Sequence, residues 1–138
     1  MSPLPAISMP DVEQLWADYL LTQMPGPFIG TEWPPNWEAR LADGIIAVSL
    51  GGGGSRQRGV TADRTIDIDV LAADKGQARD LAAQVSALMI AAQGTVQPGA
   101  RIYDVAETSV VWLPYQPSAE TDPIPRYVLV MSTVVRPA

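Results

Sequence analysis

A chain of 138 residues with 47% hydrophobic and 17% charged side chains has the size and composition of one compact domain, not of a disordered segment. Its formal charge of −6, from 15 acidic against 9 basic residues, repels a phosphate backbone and argues against tight binding to nucleic acid. It has neither cysteine nor histidine, which excludes disulfides, thiolate nucleophiles, the Ser-His-Asp arrangement and the usual nitrogen and sulfur ligands of zinc.

The opening MSPLPAISMP has neither the basic start nor the apolar centre of a secretory signal, and no apolar run is long enough to span a bilayer. The expectation is a protein made and used in the cytoplasm, without a membrane partner. Asp11 is placed to cap a first helix, with Gln14 at the capping-box position, and Val12, Leu15, Trp16, Tyr19 and Leu20 recur at helical spacing. Pro25 and Gly26 stop it. A short strand is expected between Phe28 and Trp33, before Pro34 and Pro35 forbid ladder donation, with Trp33 and Trp37 covering an edge of the core.

IIAVSL, residues 45–50, reads as a strand, and from Thr65 to Leu71 the polarity alternates with the period of a strand that has one buried face. The two form a hairpin. Between them lies LGGGGSRQRGV, and a tip running from Gly51 to Ala62 is too long and too rich in glycine for a tight turn, so the sequence predicts a mobile arm.

Asp74 and Gln77 open a second helix that runs to about Ala92, with Gly94 as its left-handed stop and a stripe of Ala78, Leu81, Ala82, Val85, Leu88, Met89 and Ala92. Two alternating runs follow, at residues 105–113 and 126–135, joined by a proline-rich connection. The fold class predicted is α+β: a mostly antiparallel β-sheet, two main helices packed on one face, and a long β-hairpin arm, all in a single domain spanning residues 1–138. Val111 and Leu113 share one face of their strand and Val110 and Trp112 the other, while Val128, Val130 and Val134 oppose Leu129, Met131 and Val135. Strands apolar on both faces, in a domain with helices on one side, imply burial against a partner.

The chemical motifs are weaker than the structural ones. GGGGSRQRG lacks the lysine of a phosphate-binding P-loop and leads into a strand instead of a helix. Asp67 and Asp69 point the same way along one strand, a spacing compatible with glycoside hydrolysis or a divalent cation, but the pattern favours a solvated strand face, since the sequence reveals no pocket to set the two carboxylates apart. No histidine is present to activate Ser55 or Ser109, and no cofactor site emerges. Arg56, Arg58 and Arg64 give an acidic protein a basic tip, suited to an acidic protein surface or a passing phosphate backbone, or simply to solubility of a glycine loop.

Taken in order, PDVEQLWADYL, VSLGGGG, ADRTIDIDVLA, QARDLAAQVSALM, IYDVAETSVVWLP and PRYVLVMSTVVRP resemble the tail terminator proteins of long-tailed bacteriophages over nearly the whole chain. DGIIAVSL is more apolar than the family's edge strand would be, and the Trp33 and Trp37 pair is unusual. The resemblance implies a hexameric ring at the head-proximal end of the tail. It would cap the tail tube, end its polymerisation and meet the head-tail connector, letting DNA through without binding it specifically. Such a protein is a virion component assembled in the bacterial cytoplasm and is not an enzyme.

Contacts with a neighbour or the tube would then come from Gly51, Gly52, Gly53, Gly54, Arg56 and Arg58 on the arm. Arg64, Trp112, Arg126, Val128 and Val130 on the strands would add to them, with Asp67 and Asp69 facing the channel. The nearest alternative is another neck component, a head-closure or adaptor protein. The rival from a different class is a small ligand-binding domain or enzyme.

Overall fold

Asp11 starts the first helix as its position suggests: its carboxylate accepts from the Gln14 amide, supplying a partner for one of the amides that a helix start leaves bare. The computed structural model describes residues 8–56 and 61–137. Helix α1 (Val12–Gln23) buries Val12, Leu15, Trp16, Ala17 and Leu20, and Gly26 then takes the positive φ that turns the chain into strand β1 (Phe28–Gly30). A 3-10 turn, Trp37–Arg40, leads to β2 (Ile45–Arg56), which pairs antiparallel with β3 (Thr61–Leu71). Asp74 caps helix α2 (Lys75–Ala91) through the Gln77 amide, while the Gln77 side chain accepts from the Ala73 amide and donates to the Ala42 carbonyl. Strands β4 (Val96–Gln97), β5 (Ala100–Trp112) and β6 (Arg126–Pro137) complete the fold.

The sheet is mixed and six-stranded, in the order β1-β2-β3-β6-β5-β4. It confirms the α+β class. Both helices lie on one face, where Trp16, Leu20, Val85 and Met89 meet Val48, Ile66, Ile68, Leu129, Met131 and Ile102 in one core cluster. The alternation seen in the sequence of β3 and β6 is the alternation of burial in the structure.

The sheet is mostly antiparallel as expected; the exception is β1, which runs parallel to β2, Phe28 opposite Ile45 and Gly30 opposite Ala47. Residues 31–44 form a connection long enough to carry the chain back to the start of the sheet, which a parallel pair requires.

One expectation is corrected, that of the arm. Gly52, Gly53 and Gly54 are ladder residues of β2, opposite Thr65, Arg64 and Asp63, and β6 pairs with the other side of β3 as far as Ala62. The expected arm from Gly51 to Ala62 is therefore two strand ends, β3 being held from both sides; residues 57–60, Arg58 among them, lie outside the described residues. The glycines answer a geometric need. The ladder slips one residue at Gly51, whose missing side chain leaves room for the Asp67 carboxylate, and any side chain on Gly53 would collide with the Asp63 carbonyl oxygen.

Candidate functional site

The face of the sheet turned away from the helices divides into two zones. At one end, Ile45, Ala47 and Leu71 point away from the helices and are nevertheless buried. Beside them, Trp33 Nε1 donates to Asp69 Oδ2 at 3.1 Å, and Trp33, Trp37 and Tyr115 stack edge to face with ring centroids 5.1 to 5.9 Å apart. Arg126 closes the nest: its guanidinium lies 5.6 Å from the Tyr115 ring and its Nε donates to the Leu113 carbonyl. Trp33 and Trp37 thus cover an edge of a small second core, and Arg126 is held within the chain.

Beyond the nest the same face is open. The register aligns Val111, Val128, Asp69 and Ala47 in one row and Ser109, Val130, Asp67 and Ser49 in the next. Val111 and Leu113 remain 48% and 49% exposed, and Val128 and Val130 are half-buried beside them. Asp67 and Asp69 share this face as their spacing requires. Asp69 is tied to Trp33 and Asp67 packs where a Gly51 side chain would stand. Farther along, Asp63, Thr65, Asp104, Ala106, Ser132 and Val134 line a shallow polar hollow.

Other residues singled out in the sequence belong to the opposite face. Trp112 pairs with Tyr127, the rings tilted and 5.1 Å apart, and Lys75 Nζ sits 4.6 Å above the Trp112 ring, fastening the start of α2 to the end of β5. Arg64 stands on the helix-side face of β3, its guanidinium donating to the Asp63 carbonyl and its own carbonyl accepting from Thr133. It is not at a tip. Arg56 is the last residue of β2, paired with Thr61.

Some contributors gave little sign in the sequence. Leu50 continues the helix-side series of Ile46 and Val48, yet is 47% exposed, because β1 ends at the level of Ala47 and leaves the edge bare. Val110 is 43% exposed above a depression lined by Arg79, Ala82, Ala83, Glu107 and Tyr127, with Glu107 accepting from the Ser86 hydroxyl. Which strands form the edges is a property of the topology, and local alternation does not reveal it.

Among the described residues it is Tyr19 whose pKa is displaced: burial raises it, and its hydroxyl donates to the Leu88 carbonyl at 2.8 Å. Among the described residues no group of three or more acidic side chains is placed to hold a metal ion, and no helix is long and apolar enough to cross a membrane.

The fold and this surface define an α+β protein with an open, partly apolar sheet face. No protein-family model matches the chain, and no curated protein matches it.

Proposed function

We propose that this chain is a ring-forming structural protein of the head-proximal end of a long-tailed phage tail, where a hexamer caps the tube, stops its growth and presents a surface to the head-tail connector. The observation that carries this reading is the pair Val111 and Leu113, each about half exposed on a sheet face that helices leave uncovered. Together with the half-buried Val128 and Val130 they form an apolar strip. Removal of such a strip from water contributes about 25 cal/mol per Å² buried, so a protein or tube surface is its natural cover.

The order of elements supports the same reading. A helix, a long strand pair, a second helix and two long closing strands follow one another as in the resemblance that the sequence carries. The charge of −6 suits a ring through which DNA slides without adhering. Gly51 to Gly54 and Arg56 act in this reading as parts of a strand edge offered to a neighbour.

Electron microscopy of purified tail tubes mixed with the protein tests the proposal. A ring-shaped cap on one tube end, with elongation arrested, is the expected result. A strict monomer that leaves tube growth unchanged and binds a small molecule saturably overturns it.

A further inference from the structure

The long strands β2 and β5, each only partly covered by a short outer strand, have complementary bare edges among the described residues. Strand β1 covers β2 only from Ile45 to Ala47, and β4 covers β5 only at Ala100 and Arg101. Next along β5, backbone bonds join Ile102 to Gly94 and Thr95, and the Gln93 side chain reaches the Val105 amide at 3.4 Å. Among the described residues, no strand pairs with the outer edge of Val48–Arg56 or with that of Ala106–Trp112. Neither stretch contains a proline or a lysine, residues with which natural sheets blunt their edges.

The directions of the edges fit each other. Since β2 pairs antiparallel with β3, β3 with β6, and β6 with β5, strands β2 and β5 run in opposite senses. A copy turned about an axis parallel to the strands therefore brings its β2 antiparallel to the first copy's β5. The contact is heterologous, the kind that closes into rings.

Backbone phase and side chains choose the register. The Gly44 carbonyl accepts from Phe28, so it points outward, and by alternation Ile46, Val48 and Leu50 point their backbone groups outward too. The Leu113 amide donates inward to Arg126, so Trp112 and Val110 point theirs outward. Leu50 and Val110 both stand on the helix side of their strands, 47% and 43% exposed, and among the described residues no strand or loop pairs with the outward N–H and C=O of either. We propose that copies of this chain join edge to edge, β5 of one pairing antiparallel with β2 of the next, with Val110 opposite Leu50.

In that register Trp112 lies opposite Val48 of the neighbour, just short of the level at which β1 covers β2. The irregularities cancel, because β2 carries one extra residue at Gly51 and β5 carries one at Thr108. Ser109 thus meets Gly52, Glu107 meets Gly53, Ala106 meets Gly54, and the strand position of Arg56 comes level with that of Asp104 at the end of the seam. Glycines at these positions leave the approaching backbone unobstructed. The exposed Gln93 amide is the group that turns aside.

This deepens the ring reading and rests on it for closure of the ring. Because the chain has no cysteine of its own, Leu50→Cys with Val110→Cys provides a direct test. Residues directly opposite in a hydrogen-bonded antiparallel pair have α-carbons about 5.5 Å apart, within the reach of a disulfide. After mild oxidation at the highest soluble concentration, the double variant is expected to give a ladder of covalent oligomers on a non-reducing gel, while either single variant gives no species beyond a dimer. Val110→Arg, at an exposed site, is expected to weaken association at least tenfold with the circular dichroism spectrum unchanged. The proposal is overturned if the double variant remains monomeric or gives no more than the single variants do. Hexamers found by mass without a ladder remove the edge pairing and leave the ring; a ladder from a protein that never caps tubes leaves the edge pairing and removes the tail role.

Discussion

The indole Nε1 of Trp33 donates to Oδ2 of Asp69 across 3.1 Å, joining the segment after β1 to the sheet face that the helices do not cover. An acidic residue that reads from the sequence as solvated, or as half of a carboxylate pair, is thereby part of an aromatic cap. Trp33→Phe keeps ring packing on Trp37 and Tyr115 but removes the donor, and is expected to cost about 1.5 to 3 kcal/mol, the range for a hydrogen bond to a charged acceptor. Trp33→Ala also uncovers neighbouring apolar surface, and about 3 kcal/mol or more is expected from loss of a large aromatic side chain. Urea titration of both variants, with Asp69→Ala as the partner in a double-mutant cycle, separates the bond from the packing.

Gly53 has φ +135° and no space for a side chain, whereas Gly52, at φ +155°, faces open space. Gly53→Ala forces the Asp63 carbonyl away and opens the β2–β3 ladder, so a loss of about 2 to 3 kcal/mol is expected, in line with substitutions at strained backbone positions. Gly52→Ala is expected to cost less than Gly53→Ala. Equal midpoints of chemical denaturation for the two variants contradict the tight approach at Gly53.

These glycines mark where the sequence was legible and where it was not. Both helix starts, part of each of the four long strands, the helical stripe from Ala78 to Ala92 and the alternation of β3 from Thr65 onward followed from local rules, because capping and periodic burial are written within a few residues, whereas the start of β5, residues 100–104, was not legible as strand. The strand end at Gly51 to Arg56 was not legible. Glycine ordinarily lowers strand propensity, and only the close approach of Asp63 and the Asp67 carboxylate explains its presence there. The parallel pairing of β1, the placement of β6 between β3 and β5, and the meeting of Trp33 with Tyr115 depend on contacts between distant parts of the chain. The apolar open face at Val111 and Val128 was visible in the alternation, but not that Ile45, Ala47 and Leu71 on the same face are covered from within.

Tyr19 gives the fold a pH dependence at its alkaline end. Burial raises the phenol above its ordinary value, so the folded chain holds this proton more firmly than the unfolded chain does. The resulting stability is fully present below the unfolded pKa of about 10 and is lost as pH rises through the higher folded value. Tyr19→Phe removes the bond to the Leu88 carbonyl and is expected to cost about 1 kcal/mol at neutral pH. The difference between the wild-type protein and the variant should shrink steadily above pH 10, measured by denaturant unfolding across that range. A difference that does not change with pH contradicts the assignment.

Asp74 and Gln77 act as a unit at the start of α2. The carboxylate accepts from the Gln77 amide, and the Gln77 side chain joins Ala73 to Ala42 in the connection before β2. Asp74→Ala is expected to cost about 1 kcal/mol, as removal of such a cap usually does. Gln77→Ala should have a smaller effect on the helix and a clear one on amide exchange around Ala42. Since the two residues share one network, the double variant is expected to lose less than the sum of the single losses. Strict additivity contradicts a shared network.

Val111 and Leu113 separate assembly from folding. Both are about half exposed, and neither belongs to the buried core cluster. Val111→Lys with Leu113→Lys should therefore change the stability of the subunit by only about 0.5 kcal/mol per site, as substitutions away from specific features do. On an assembled surface the same changes place two charges in a desolvated contact, where each unpaired charge is strongly unfavourable. The double variant is thus expected to unfold at nearly the wild-type denaturant midpoint while losing the ability to cap purified tubes, scored by electron microscopy at equal protein concentration. Capping that survives with unchanged yield excludes this strip from the tube or neighbour contact and moves the search to the strand edges at Leu50 and Val110. A parallel fall in subunit stability shows instead that the strip is more deeply packed within the chain than its exposure indicates.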